Sequence, residues 1–215
     1  MSKIENQRQV GRLYQDTGWK KFFAQIRFWD SPYVEVEKII PKSGQILELG
    51  CGEGVFSNYL AISSPKRKVI GVEIDKNRQK QAFRGLKNTK FIRGNALTVT
   101  PVRANVVVMF HLLHHLKSKQ DQEVLIKRVY RSLNKGGLLV VVEIAQKPVI
   151  KFWVTWFVDH FVVPWLFEKR FYEPHIFFRT EKEWQAVLQQ TGFRVKRIHC
   201  HDGKPFSHQL YICKK

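Results

Sequence analysis

The sequence predicts an α/β fold: a doubly wound, mostly parallel seven-stranded sheet with an antiparallel last strand and helices on both faces. Three observations carry this prediction. From residue 45 onward, short apolar runs rich in β-branched residues alternate with longer amphipathic stretches, the pattern of parallel strands joined by helical crossovers. Several of those runs are apolar almost without interruption, as strands covered on both faces require. Near the end of the chain two further strand-like runs are joined by a short turn, which makes a hairpin and hence an antiparallel closing strand.

Taken in order, the first forty residues read as helical, with Leu13, Trp19, Phe22, Phe23, Ile26, Trp29, Val34, Val36, Ile39 and Ile40 available for burial. Pro32 breaks this stretch in two. Strands are predicted over 45–49, 68–73, 90–93, 104–109 and 138–144, and helices over 55–62, 76–86 and 119–133. The last helix is the clearest: Val124, Leu125, Val129 and Leu133 share one face, and Asn134, Lys135, Gly136 and Gly137 stop it. Thr180 followed by Glu183 is a capping box ahead of Trp184, Val187 and Leu188, and Gly192 ends that helix. The closing strands are predicted over 193–199 and 209–213, with Asp202 and Gly203 in the turn. No internal repeat or low-complexity run interrupts this order. A length of 215 residues predicts one domain over 1–215, made of a helical cap at 1–40, a core at 45–144 and an aromatic insertion at 147–180.

Thirty-seven Lys and Arg against eighteen Asp and Glu give a formal charge of +19. Such a surface attracts anions, whether nucleic acid, acidic lipid headgroups or acidic carrier proteins, or serves solubility alone. Cys51, Cys200 and Cys213 are too few and too scattered for a disulfide framework or a zinc site. That usage, and a start without an apolar leader, point to the cytoplasm. The apolar stretch 149–167 is interrupted by Lys151, Asp159, His160 and Pro164, which argues against a membrane span.

The sharpest local signal is Ile46, Leu47, Glu48, Leu49, Gly50, Cys51, Gly52, Glu53, Gly54, a strand running into three glycines spaced by single residues. Glycine permits positive φ and lets a ligand approach more closely than a Cβ would allow. The helix that follows offers unpaired amides at its start. The spacing differs from the dinucleotide fingerprint, whose second and third glycines are two residues apart. The second strand ends in Glu73, a carboxylate able to accept from both vicinal hydroxyls of a ribose. Asp75 reads as a helix cap. The third strand leads to Arg93, Gly94, Asn95, Ala96, and the fourth into Phe110, His111, Leu112, Leu113, His114, His115, Leu116.

These motifs, in this order over 45–144, resemble the S-adenosylmethionine-dependent methyltransferases of the seven-stranded, Rossmann-like class I, in their small-molecule and lipid-type branch. The paired glycines of Arg131, Ser132, Leu133, Asn134, Lys135, Gly136, Gly137 extend the resemblance. It implies that 45–144 binds S-adenosylmethionine and its product S-adenosylhomocysteine. The glycines would pass beneath the amino-acid portion, Glu73 would hold the ribose, and Asn95 would stand where the family carries an adenine-contacting aspartate. On that resemblance the expected cofactor contacts are Glu48, Gly50, Cys51, Gly52, Gly54, Glu73, Ile74, Asn95, Ala96 and Phe110. A scaffold that binds the cofactor without turnover is the alternative.

His111, His114 and His115 are the candidate catalytic residues, because imidazole titrates near neutrality and can take a proton from an acceptor. Their spacing, without a nearby Cys or carboxylate, argues against a metal. Methyl transfer needs orientation and exclusion of water more than strong acid or base. Between the fifth strand and the capping box, 149–179 holds eleven Phe, Trp and Tyr residues. In its helical part Lys151, Thr155 and Asp159 form a narrow polar stripe in an otherwise apolar circumference. Three readings fit: a lid over a hydrophobic acceptor, an interfacial helix at an anionic membrane's inner surface, or extra core. The expected acceptor is a small or lipid-like molecule. Nucleic acid is the rival, served by the charge but lacking the asparagine-proline-proline-aromatic motif of base amino-methyltransferases, since Phe110, His111, Leu112, Leu113 stand in its place.

Overall fold

The computed structural model describes residues 3–14, 19–99, 102–162, 165, 171–172, 176–200 and 203–215, with the side chains of 3 and 19–24 left aside. The expected burial of Trp19, Phe22 and Phe23, the break at Pro164 and the turn position of Asp202 lie outside what is described. Three helices open the chain: α1 (Lys3–Leu13), α2 (Trp19–Asp30) and α3 (Tyr33–Ile39). The chain then alternates β1 (Gly44–Leu49), α4 (Val55–Ser63), β2 (Arg67–Glu73), α5 (Lys76–Ala82), β3 (Thr89–Arg93), β4 (Ala104–Phe110), α6 (Lys119–Ser132) and β5 (Leu133–Ile144). It closes with α7 (Val149–Phe157), α8 (Glu181–Gln190), β6 (Arg194–His199) and β7 (His208–Lys214). The sheet has seven strands in the order β3-β2-β1-β4-β5-β7-β6. The first five are parallel, and β7 runs antiparallel to both β5 and β6, as predicted.

Alternation along each central strand sends one set of side chains to each face. Ile46, Val106, Val108, Val140 and Val142 pack on one face with Val10 and Tyr14 of the first helix region, Tyr33 and Val36 of α3, and Phe56 and Leu60 of α4. Leu47, Leu49, Val107, Met109, Leu139 and Val141 pack on the other, against Leu125 and Val129 of α6 and Trp184 and Leu188 of α8. Each fully buried aliphatic chain contributes about 1.5–3 kcal/mol of transfer free energy. Register is therefore strongly specified, because a one-residue slip would turn every strand inside out.

Arg67 ties the opening helices to this sheet. Its guanidinium is fully buried at the start of β2 and donates to Glu37 Oε1 at 2.8 Å, Ile40 O at 2.8 Å, Pro41 O at 2.8 Å and Leu60 O at 3.2 Å. A buried charge is tolerable only when its donors are met in this way.

The structure differs from the sequence reading in four places. Helix α5 stops at Ala82, not 86, because Phe83 turns extended and Gly85 takes φ +76°. Strand β5 starts at Leu133, where Leu133 pairs with Ala104, and resumes at Leu138 opposite Val106. The predicted glycine stop is thus an irregularity inside a strand, with Gly136 at φ +72°. On α6 the buried face is rotated: Val124 is exposed and Gln122 is buried, its Nε2 donating to Leu113 O and Phe177 O. Trp29, expected in the core, is exposed.

Candidate active site

The sheet order reverses between β1 and β4, and in open α/β sheets ligands bind in the crevice beyond the strand carboxyl ends at that point. The β1 exit supplies the glycine loop. Gly50, Gly52 and Gly54 have φ of +72°, +55° and +73°, a left-handed conformation that costs an L side chain about 1–2 kcal/mol. Gly50 N and Cys51 N donate to Val72 O at 2.8 and 3.0 Å, which holds the loop against the end of β2. Gly52 N donates to Glu73 Oε2 at 2.8 Å, and Asp75 N to Glu73 Oε1 at 2.9 Å. Glu73, itself buried, thus faces the glycines directly. Ile74 beside it is 61% exposed, an apolar side chain with no core to cover it. Asp75 caps α5 through Asn77 N and Arg78 N, as expected.

Two elements brace this loop. Tyr14, at the end of α1, donates its hydroxyl to Glu53 O at 2.7 Å and accepts from Asn58 Nδ2 at 2.9 Å. Arg78 forms a two-pronged ion pair with Glu53, at 2.8 and 3.2 Å, and lies over Gly52. Glu48 accepts from Ser57 Oγ at 2.5 Å at the start of α4. Burial is the main reason its pKa is pushed up to about 8, against the pull of the Ser57 hydrogen bonds and the Arg27 charge. Cys51 is buried, and its thiol is held well above the ordinary range by burial and then by Glu48 and Glu73.

The remaining expected cofactor contacts are placed less simply. Asn95 Oδ1 accepts from Leu97 N at 2.9 Å, closing the turn after β3, and Ala96 is half-buried beside it. Phe110 packs edge-on against Tyr33 and Phe56, at 4.9 and 4.7 Å between ring centroids, and so belongs to the aromatic core beneath the crevice.

The exit of β4 supplies the histidines, and the structure separates them. His115 is on the surface. His114 is buried, with Nδ1 at 2.5 Å from Glu143 Oε2, while Glu143 Oε1 accepts from Leu113 N at 2.8 Å. Burial alone would lower the His114 pKa, but the Glu143 charge and hydrogen bond, with Asp159, hold it above the ordinary histidine value. Its Nε2 faces Asp159 Oδ2 across 3.7 Å, too far for a hydrogen bond, and both atoms are buried without another partner. Phe178 stacks on the His114 ring at 5.2 Å and 20°. His111 is half-buried and takes φ +49°, with its amide donating to Val142 O at 2.8 Å. Its Nε2 lies 3.0 Å from His208 Nδ1, and His208 Nε2 lies 2.9 Å from Asp30 Oδ1.

Helix α7 and the π-turn Val158–Val162 that follows it are turned so that the narrow polar stripe faces inward. Thr155 and His160 are buried, and the π-turn carries Asp159 toward His114. The opposite side, Ile150, Trp153, Val154, Phe157 and Phe161, is exposed. For these side chains the extra-core reading fails. No described helix is long and apolar enough to cross a membrane, and no metal-binding group of three ligands occurs among the described residues.

As site residues, Tyr14, Arg27, Asp30, Glu143 and His208 were not singled out by sequence reasoning, and Asp159 was read only as part of the polar stripe of the aromatic insertion. Glu143 had a signal, a carboxylate within an apolar strand run. The others come from distant segments with no local motif.

Sheet order and glycine loop together define the class, a seven-stranded α/β protein of the class I S-adenosylmethionine-dependent methyltransferase type. A methyltransferase-domain family model matches residues 22–198, and the chain belongs to that family. It is 30% identical over 139 residues, 61% of this chain and 58% of the relative, to a demethylmenaquinone methyltransferase of Geobacillus sp. (strain WCH70). The chain spans about half the length of the curated relatives it matches. An S-adenosylmethionine-dependent methyltransferase structure from Methanosarcina mazei superposes with a TM-score of 0.60 at 23% identity, covering 84% of this chain and 96% of that one. Human N-acetylserotonin methyltransferase in complex with S-adenosylmethionine superposes with a TM-score of 0.67 at 16% identity, covering 90% and 55%.

Proposed function

We propose that this protein transfers the methyl group of S-adenosylmethionine to a small apolar acceptor. The observation that carries this is the 2.8 Å hydrogen bond from Gly52 N to Glu73 Oε2, which joins the glycine loop to the carboxylate at the switch point. The residues fit the cofactor. Gly50, Gly52 and Gly54 hold the loop at positive φ with no side chain of their own on it, α4 begins without a side-chain cap, Glu73 retains acceptor capacity, and the exposed Ile74 offers an apolar face beside it. Gly50, Cys51, Gly52 and Gly54 would cradle the methionyl portion with Glu48 near its ammonium, Glu73 and Ile74 would hold the ribose and adenine, and Asn95, Ala96 and Phe110 would complete the wall. Bound S-adenosylmethionine supplies an electrophilic methyl on a sulfonium. The chain's own task is to orient the acceptor, exclude water and accept a proton.

The acceptor class rests on α7 and on the relative that acts on demethylmenaquinone. An exposed stripe of five large apolar side chains on an element whose inner side reaches His114 supports an apolar acceptor entering past that element. With a chain charge of +19, the same stripe fits the surface of an anionic membrane. Isothermal calorimetry with S-adenosylmethionine and S-adenosylhomocysteine tests the core claim: binding is expected, reduced at least tenfold in Glu73→Ala. No binding by the wild type overturns it. Co-sedimentation with phosphatidylglycerol vesicles, lost in Trp153→Ser/Phe157→Ser, tests the membrane contact.

A further inference from the structure

Resting on that reading, we infer that His111 is the residue that takes the acceptor's proton, and that His208 and Asp30 are positioning residues that set its tautomer. The three side chains form one line, from Asp30 Oδ1 to His208 Nε2 at 2.9 Å and from His208 Nδ1 to His111 Nε2 at 3.0 Å. They come from the end of α2, the start of β7 and the exit of β4. His208 is fully buried and Asp30 nearly so.

Tautomers follow from the partners. A carboxylate only accepts, so His208 carries its proton on Nε2. Neutral His208 then has a lone pair on Nδ1 and accepts from His111 Nε2–H. Neutral His111 is left with its lone pair on Nδ1, which takes no hydrogen bond from the described residues. The left-handed backbone at His111, φ +49°, is the single positive φ among the described non-glycine residues. Strain of this kind persists where the surroundings hold it, and it occurs often at functional sites. The position is also right: Leu49 pairs with Met109, so the residues after β4 sit beside the glycine loop, and Leu112 packs against Gly50.

His114 is less suited. Both its nitrogens point at carboxylates, Phe178 roofs its ring, and its free nitrogen is closed off from solvent. The Glu143–His114–Asp159 arrangement reads instead as a latch between the β4 exit and the π-turn.

In the reaction, a lone pair of the acceptor forms the bond to the methyl carbon while the carbon–sulfur pair returns to sulfur, leaving a neutral thioether. The acceptor's proton moves to His111 Nδ1, giving an imidazolium whose Nε2–H points at His208 and, through it, at the Asp30 carboxylate. A weak base suffices, because the acceptor's acidity climbs as its atom takes on positive charge. Burial is the largest reason that the His111 pKa is held well below the ordinary value, followed by His208, Arg27 of α2 and His114 and His115 of its own turn. His111 is therefore unprotonated throughout the neutral range.

The test has two arms. Long-range 15N–1H spectra of the uniformly 15N-labelled full chain should show the His111 ring as the Nε2–H tautomer, unprotonated at pH 7. Asp30→Asn, whose amide can donate to His208, should turn it toward Nδ1–H, and His208→Gln should leave it mixed. A wild-type His111 in the Nδ1–H form, or one unmoved in both variants, overturns the relay. In the second arm, methylation of a soluble 1,4-naphthohydroquinone is followed with S-adenosylmethionine. His111→Asn, chosen because Asn tolerates left-handed backbone, should lose at least 100-fold in kcat while S-adenosylmethionine affinity stays within threefold. Asp30→Asn should lose about tenfold in kcat with KM unchanged. Activity of His111→Asn within threefold of wild type overturns the catalytic role. A wild type that binds S-adenosylmethionine but spares the hydroquinone rejects that acceptor class, and the spectra then decide the relay alone.

Discussion

The two banks of the crevice are built by opposite means. On the β1 and β2 side the groups presented to a ligand are mostly backbone, shaped by three glycines within five residues and one carboxylate 19 residues further on. On the β4 and β5 side they are buried and half-buried side chains drawn from five segments: Asp30, His111 with His114, Glu143, Asp159, and His208. A backbone site asks little of sequence beyond glycine and tolerates change around it. A side-chain site needs each partner in place, since a buried polar group without its partner costs about 1–3 kcal/mol. The first bank suits a ligand common to a whole family, and the second suits chemistry particular to one acceptor.

The largest effect expected from breaking the first bank is at Gly54. A Cβ there would stand 2.8 Å from Ala82 Cβ and 2.9 Å from the Phe91 ring, neighbours with no flexible end to move, at φ +73°. Gly54→Val should cost about 3 kcal/mol or more and lower the melting temperature by at least 6 °C in calorimetry. Gly52→Ala is the control: its Cβ would meet only the mobile end of Arg78, so about 1–2 kcal/mol is expected from φ alone. Equal losses in the two variants would mean that contact with rigid neighbours does not decide tolerance in this loop.

Next is Arg67, which anchors the cap on which Asp30 is carried. Arg67→Ala leaves the carbonyls of Ile40, Pro41 and Leu60 without their donor and Glu37 with Lys42 as its remaining cation, and should cost about 3–5 kcal/mol by urea unfolding, with the His111 spectrum changing as α2 and α3 loosen. A His111 signal identical to wild type would separate the second bank from the cap.

A pH effect of intermediate size distinguishes the banks by the pH window in which it falls. The Glu48 pKa is raised to about 8, so between the unfolded carboxylate value, about 4.3, and 8 the native state holds an extra proton. Stability then falls as pH rises through that window. The raised His114 has the same sign: its contribution is complete below the unfolded histidine value, about 6.5, and is lost as pH rises through its folded pKa. Glu48→Gln should flatten the lower part of the stability profile and leave the upper part in place. Binding of the S-adenosylmethionine ammonium near Glu48 should release a proton at pH 7, visible as a buffer-dependent binding enthalpy; a buffer-independent enthalpy would place Glu48 away from the ligand.

The smallest effect on stability is expected on the outer face of α7. Trp153 is 57% and Ile150 80% exposed, so Trp153→Ser and Ile150→Ser should change unfolding free energy by about 0.5 kcal/mol or less. A loss above 2 kcal/mol would mean that the stripe is covered within the protein itself.

The alternation of apolar runs and amphipathic stretches was enough to determine the sheet, its seven strands and the antiparallel last one, because periodicity is written locally and each period admits one kind of element. Glycine spacing, Glu73 and the Thr180 capping box were likewise readable, since each depends on residues within one turn or one βα unit. Only the folded chain decided which way α6 and α7 face, through contacts such as Gln122 with Phe177 and Asp159 with His114. It also decided the partnership of Asp30, His111 and His208, whose members stand 81 and 97 residues apart. No local pattern carries such a pairing; it exists because the strand order brings the start of β7 and the exit of β4 to the same edge of the crevice, under a helix that arrives from the start of the chain.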